Sequence, residues 1–334
     1  MPVIAPRANP ELRGQEEASA KLRDSVRAGR LHHAWLICGP PGIGKATLGY
    51  RFTRWLLSGA ISDDLSLAPS HAVFRRIAAG SHPDLLVIER RFDERRKRLQ
   101  SEIVVDTVRE AADFLHLTPF DGGWRIVLVD GAEAMNRNAA NSLLKLLEDP
   151  PDRAIWLLVS HAPGRLLPTV RSRCRRLDCE PLDDRIVEDL VLKALPDLAS
   201  NRRHALVSLA GGSIGRALEM AQGDALNLSG LATEILNTTA ISPPRAAAIS
   251  DQVVRTEDGF VIFIDQLRVA LGRLLRIAAR DGIETISAPI IVQRGLDGAA
   301  SLWQELARLE GEVDGLNLDQ RAAILLLIEQ LRTA

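Results

Sequence analysis

The run Gly39-Pro40-Pro41-Gly42-Ile43-Gly44-Lys45 is the part of this chain best suited to chemistry. Its spacing is G-x-x-x-x-G-K, with an apolar run before it and a helical pattern after it, the context in which such a loop wraps phosphates. Gly39, Gly42 and Gly44 let backbone N–H groups turn inward, the helix N-terminus adds the positive end of a dipole, and Lys45 brings a point charge to the outer phosphates. ATP or ADP is the ligand that such a cradle suits.

Two side chains that metal-assisted hydrolysis would use are missing. The residue after the lysine normally offers a hydroxyl to magnesium, and here it is Ala46, whose methyl group cannot ligate a hard cation. Thr47 lies about 100° further round the helix, placed to bond backbone or a group near the base rather than the metal. A second apolar run, Arg125 to Val129, delivers Asp130 to the C-terminal end of a strand, where α/β sheets bind ligands and where it can hold magnesium through water. The next position would carry the glutamate that polarises the attacking water. It is Gly131, and Glu133, two residues on, is expected to point elsewhere. Together these losses argue against efficient hydrolysis and leave magnesium short of ligands. Two readings stay open: a cradle that still binds nucleotide, and one that persists for folding reasons with none.

The elements that would position these groups follow from periodicity. Short apolar runs at His33 to Cys38, Asp84 to Ile88, Arg125 to Val129, Ala154 to Ser160 and Arg175 to Leu177 read as strands buried on both faces. Helical spacing at Gly44 to Leu57, His71 to Ala79, Val105 to Leu117 and Asn138 to Glu148 alternates with them, which predicts a three-layer α/β domain with a parallel sheet. The last helix has Asn136 and Asn138 as candidate caps and stops at Pro150-Pro151. Beyond Glu180 the strand pattern fades into amphipathic helices, divided by turn clusters at Gly211-Gly212-Ser213 and Ser242-Pro243-Pro244. The expected domains are 1–179 (α/β), 180–222 (small, helical) and 240–334 (helical).

Composition narrows the class. With 334 residues, 46% of them hydrophobic, the chain can build two or three cores. Lysine plus arginine (42) balances aspartate plus glutamate (43), so any affinity for nucleic acid must come from local patches. Cys38, Cys174 and Cys179 form no CxxC pair, which suits a reducing compartment. No run approaches the roughly 20 apolar residues that span a bilayer, so a cytoplasmic protein without a membrane partner is expected. The charged run Arg90 to Arg98 reads as a solvated loop or hairpin and is assigned no role.

Further segments occur in a recognisable order: Gly14-Gln15, His33 to Leu36, His82-Pro83-Asp84-Leu85, Asp130 to Met135, Asn138 to Glu148, Ser172-Arg173-Cys174, Gly211 to Ser213 and Gly215-Arg216. With the Gly39 to Lys45 loop they resemble the delta prime family of bacterial DNA polymerase III, clamp-loader proteins of the AAA+ group. The resemblance covers about residues 14 to 220; the C-terminal third matches only in being helical. It implies an AAA+ P-loop NTPase-like domain, a helical lid and a C-terminal helical collar. By the same resemblance Arg173 is an arginine finger given in trans to nucleotide on a neighbouring subunit, a role that suits a planar, permanently charged guanidinium. Read locally, Arg171 to Arg176 is also a plain basic surface cluster. Ser160 takes the place of a polar phosphate sensor and Arg216 that of a cationic one.

The partners implied are gamma/tau and delta-type subunits, a sliding clamp and primed DNA, with Lys145 and Arg109 as candidate DNA contacts. Many relatives carry a four-cysteine zinc module before the His-Pro-Asp stretch. Ser70 to Gly80 holds no cysteine, so no zinc is expected. The favoured reading is an arginine-donating subunit that does not itself hydrolyse ATP. The alternatives are an ATP-hydrolysing motor of the gamma/tau type and a nucleotide-binding regulator without DNA work.

Overall fold

The computed structural model describes residues 4–93, 98–120, 123–221, 225–238, 240–256, 258–282, 288–316 and 318–332. The chain falls into two compact units: Met1–Leu198 with Gly212–Arg216, and Ala199–Gly211 with Ala217–Ala334.

In the first unit, strands β1 (Ala34–Cys38), β2 (Leu85–Ile88), β5 (Arg125–Asp130), β6 (Ala154–Ser160) and β7 (Arg175–Asp178) form a five-stranded sheet in the order β2-β5-β6-β1-β7. Every pairing is parallel. All residues of β1 and β6 are buried, because helices cover both faces. On one face α4 (Val105–His116) and α5 (Arg137–Glu148) bring Val108, Ala111, Leu143 and Leu147 against Val127, Trp156 and Leu158. On the other, α1 (Glu16–Arg27) and α2 (Lys45–Leu57) bring Leu22, Leu48, Phe52 and Trp55 against Ile37, Ile126 and Leu157. Strand β7 closes one edge with Arg175, Arg176 and Asp178 exposed, charges that suit an unpaired sheet edge.

The five strands and four helices read from the sequence are present, with ends that differ by a residue or so. Helix α1 was not among them. Asn136 is the cap of α5, its side chain accepting from Ala139 N–H at 2.9 Å, whereas Asn138 lies inside the first turn. Within the charged run Arg90 to Arg98, β3 (Phe92–Asp93) pairs antiparallel with β4 (Arg98–Leu99), and residues 94–97 lie outside the described residues. Helices α3 (Ala72–Ala78), α6 (Pro168–Arg171) and α7 (Asp184–Ala194) complete this unit.

Two buried cations brace it. Arg54, 2% exposed, donates to the carbonyls of Arg7 at 3.1 Å and Asn9 at 2.7 Å and lies over the Phe74 ring, so it pins the N-terminal segment to α2. Burial pulls its guanidinium down to about 10. Asp84 and Arg125 form a pair at 3.7 Å with both side chains buried, and Asp84 also accepts from Phe120 N–H at 2.9 Å. The His82-Pro83-Asp84 signature is thus bound into the fold.

The second unit is helical: α8 (Ser200–Ala210), α9 (Ile214–Ala221) beyond Arg216, α10 (Ala225–Asn237), α11 (Pro243–Arg255), α12 (Gly259–Asp281), α13 (Pro289–Leu316) and α14 (Gln320–Arg332). Its core is built from Leu228, Ile249, Phe263, Leu271, Leu302 and Ile324. Gly295, at φ 68°, breaks α13 into two helices. The two units divide the chain at other points than the three segments read from the sequence, since α7 groups with the sheet. Positions 222 and 334, the ends assigned to the lid and collar, lie outside the described residues.

Candidate functional site

The loop after β1 has the backbone its glycines imply. Gly39, Gly42 and Gly44 sit at φ 147°, 73° and 98°, in the region that favours glycine. A Cβ on Gly42 would come within 2.4 Å of Ser213 Oγ and 3.0 Å of Gly215 Cα. The loop is clasped by the Gly212–Arg216 turn: Ser213 Oγ donates to Pro41 O at 2.9 Å and accepts from Arg216 N–H at 3.1 Å, while Gly215 N–H donates to Gly42 O at 3.0 Å. Arg216 is therefore carried to the loop by its own backbone. On the other flank the buried Gln15 amide donates to Ile43 O at 3.3 Å and Glu180 O at 2.8 Å. These ties span 28 and 165 residues of sequence, so no local pattern announces them.

Lys45 opens α2, 5% exposed, and its ammonium donates to Pro40 O. Burial pushes its pKa down, opposed by the charges of Glu133 and Asp130 among others. Thr47 is buried in the first turn of α2. Strand register explains why Ser160 and Asp130 belong to the same edge: Cys38, which precedes the loop, lies beside Ser160, and Val159 lies beside Asp130. Ser160 is fully buried, and its hydroxyl accepts from Ala162 N–H at 3.2 Å, a turn-capping role.

Glu133 departs from the expectation that it turns away. It sits in the short turn Ala132–Ala134, its side chain 5% exposed, with Oε1 2.7 Å from Nε2 of His161, the residue after β6. Burial would raise this carboxyl, but hydrogen bonding to His161 and Ser160 outweighs it and holds Glu133 at about 2. Oε2 makes no hydrogen bond of ordinary geometry. Asp130 behaves oppositely: burial, then the charge of Glu89, pushes its carboxyl up. The strand ends thus bring the carboxylates of Asp130 and Glu133 near Lys45, and that of Glu89 near Asp130. The Glu133–His161 pair joins residues far apart in sequence, and no local spacing announces it.

Arg173 makes its contacts elsewhere. Nη2 lies 2.6 Å from Glu148 Oε1, and Nη1 donates to Thr169 O at 3.1 Å, with the side chain 36% exposed. Its neighbours are held differently: Arg175 stacks on Trp35 at 4.9 Å, and Arg176 pairs with Asp178 at 2.8 Å. Of the candidate DNA contacts, Lys145 is exposed on α5, and Arg109 is exposed on α4 in a pair with Asp106 at 3.2 Å. No described helix is long and apolar enough to cross a membrane.

A parallel sheet in the order β2-β5-β6-β1-β7, with a phosphate-type loop between β1 and α2 and helices following, is the AAA+ fold with a helical region after it. The family described as DNA polymerase III, delta subunit, matches residues 14–183. The chain belongs to that family. It is 40% identical over 182 residues to DNA polymerase III subunit delta' of Pseudomonas aeruginosa, a match covering 54% of this chain and 53% of that one. It is 34% identical over 204 residues to subunit delta' of Escherichia coli K12, covering 61% of this chain and 59% of that one. A match to subunit tau of Escherichia coli K12, 28% identical over 279 residues, covers 81% of this chain and 40% of that one. The matched stretch spans little more than half the length of the two delta' relatives.

Proposed function

We propose that this chain is a clamp-loader subunit of the replicative DNA polymerase III holoenzyme, assembling with gamma/tau and delta-type subunits. In this role it helps ATP-dependent loading of a sliding clamp onto primed DNA. It donates Arg173 to nucleotide on a neighbouring subunit and does not turn over ATP itself.

The observation that carries this reading is the contrast between two sites. Arg173, within Ser172-Arg173-Cys174, is half-exposed and makes its contacts with Glu148 and Thr169 rather than with the residues of its own cradle. The cradle has Ala46 where a metal-binding hydroxyl would be and Gly131 where a water-polarising carboxylate would be. Asp130 and Glu133 add negative charge around Lys45, which opposes a triphosphate unless a cation screens it. ATP or ADP held without turnover is therefore the state the residues favour, with Ser160 and Arg216 beside the outer phosphates.

Reconstitution tests the proposal. The chain is combined with motor subunits, clamp and primed DNA, and wild type is compared with Arg173→Ala and Lys45→Ala. Arg173→Ala is expected to lower ATPase and loading, and Lys45→Ala to change little. Robust ATPase from the isolated chain, abolished by Lys45→Ala, would refute it in favour of a motor subunit.

A further inference from the structure

We infer that Glu148 is a positioning residue for Arg173, holding the guanidinium in one orientation before a partner's phosphate arrives; the inference rests on the arginine-finger reading above. The backbone under Arg173 is fixed first. Ser172 N–H donates to Pro168 O at 3.0 Å, Arg173 N–H to Val170 O at 3.2 Å and Cys174 N–H to Arg171 O at 3.3 Å, a tight turn at the end of α6. The side chain is then held at two points, by Glu148 and by the Thr169 carbonyl. A guanidinium has five N–H donors, and these two contacts leave donors for an incoming phosphate. Because the guanidinium is planar, holding both terminal nitrogens fixes the direction of the N–H groups that remain.

Helix energetics do not account for Glu148. It is the last residue of α5, with Asp149 as the C-cap, so its carboxylate lies at the negative end of the helix dipole. Folding does not account for the ion pair either, since both side chains are more than a third exposed and such pairs add little stability. What the contact does supply is orientation: a long, flexible cation is kept in one rotamer before a partner arrives, which lowers the entropy cost of engaging a phosphate. Arg175 and Arg176 are held by Trp35 and Asp178, so Glu148 singles out Arg173 within the basic cluster.

The test uses the assembled loader with clamp and primed DNA, measuring steady-state ATPase for wild type, Arg173→Ala, Glu148→Ala, Glu148→Gln, the Arg173→Ala/Glu148→Ala double variant and Arg171→Ala as a control. Glu148→Ala is expected to lower kcat by about three- to tenfold, in the range of coupled neighbours, with KM for ATP within about twofold, the pattern of a lost transition-state contact. Glu148→Gln, which keeps an acceptor oxygen, should recover to within about twofold of wild type. The double variant should be no slower than Arg173→Ala alone, and Arg171→Ala should match wild type. An unchanged thermal midpoint for Glu148→Ala separates orientation from folding. If Glu148→Ala is as fast as wild type or faster, or its loss multiplies with that of Arg173→Ala, the positioning role is overturned and the finger stands. If Arg173→Ala itself has no effect, the finger reading fails and the positioning role goes with it.

Discussion

Replacing Glu133 with glutamine keeps the shape of the side chain and removes its charge. In the folded chain the carboxyl is 5% exposed, 2.7 Å from His161, and held at about 2 against an ordinary value of 4.5. That displacement corresponds to about 3 kcal/mol in favour of the ionised folded state. Because His161 is 49% exposed and solvent screens the contact, roughly 1–3 kcal/mol is the expected loss in Glu133→Gln at neutral pH. A depressed carboxyl stabilises fully above its unfolded value, and this contribution disappears as pH falls from about 4.5 toward about 2. Wild type should therefore exceed Glu133→Gln by about 2–10 °C in thermal midpoint at pH 7, and the gap should close on acidification. Tryptophan fluorescence is a suitable probe, since Trp35, Trp55, Trp124 and Trp156 all lie in the sheet-containing unit. Equal midpoints at pH 7, or a gap that stays constant down to pH 3, would show that the carboxylate is not held ionised by His161 and Ser160.

Three further outcomes are expected. Asp84→Ala leaves Arg125 buried without its carboxylate and Phe120 N–H without its acceptor, and should cost about 3–5 kcal/mol in urea denaturation; a loss under about 1 kcal/mol would refute the buried-pair account. Gly42→Ala meets both a left-handed φ of 73° and the Ser213 hydroxyl 2.4 Å from the new Cβ, so a destabilisation of at least about 1 kcal/mol is expected, and wild-type stability would show that the clasp yields easily. The thiols of Cys174 and Cys179 are pushed up to about 12 by burial, and Cys38 is also raised. Iodoacetamide at pH 8 should label none of the three readily in the native chain and all three in urea; fast native labelling of any one contradicts this.

What the sequence disclosed was whatever depends on neighbours in the chain. The apolar runs of β1 and β6 mark strands because burial on both faces leaves no polar alternation to confuse them. The loop from Gly39 to Lys45 and the cap at Asn136 are local by nature. Helix α1 escaped notice because only Ala18, Leu22 and Ser25 of its 12 residues are buried, too sparse a stripe to stand out among its charges. The ionic contacts between elements were illegible for a different reason. Asp84 with Arg125, Glu133 with His161, and Glu148 with Arg173 each join separate elements, and only the sheet order brings their partners together. That position 131 carries no carboxylate is plain from the sequence, but the contact of Glu133 with His161 after β6 depends on the turn Ala132–Ala134.

The close approach of Gly42 and Gly215 also carries a consequence for descent. A Cβ on Gly215 would lie 2.7 Å from Gly42 Cα, and one on Gly42 would lie 3.0 Å from Gly215 Cα, so neither position has room for a side chain while the other stays where it is. Mutation at either site alone meets the same obstacle from opposite sides. Lineages that keep this clasp should keep both glycines, and lineages that lose one should soon drift at the other, leaving paired change as the historical record of whether the loop is still held.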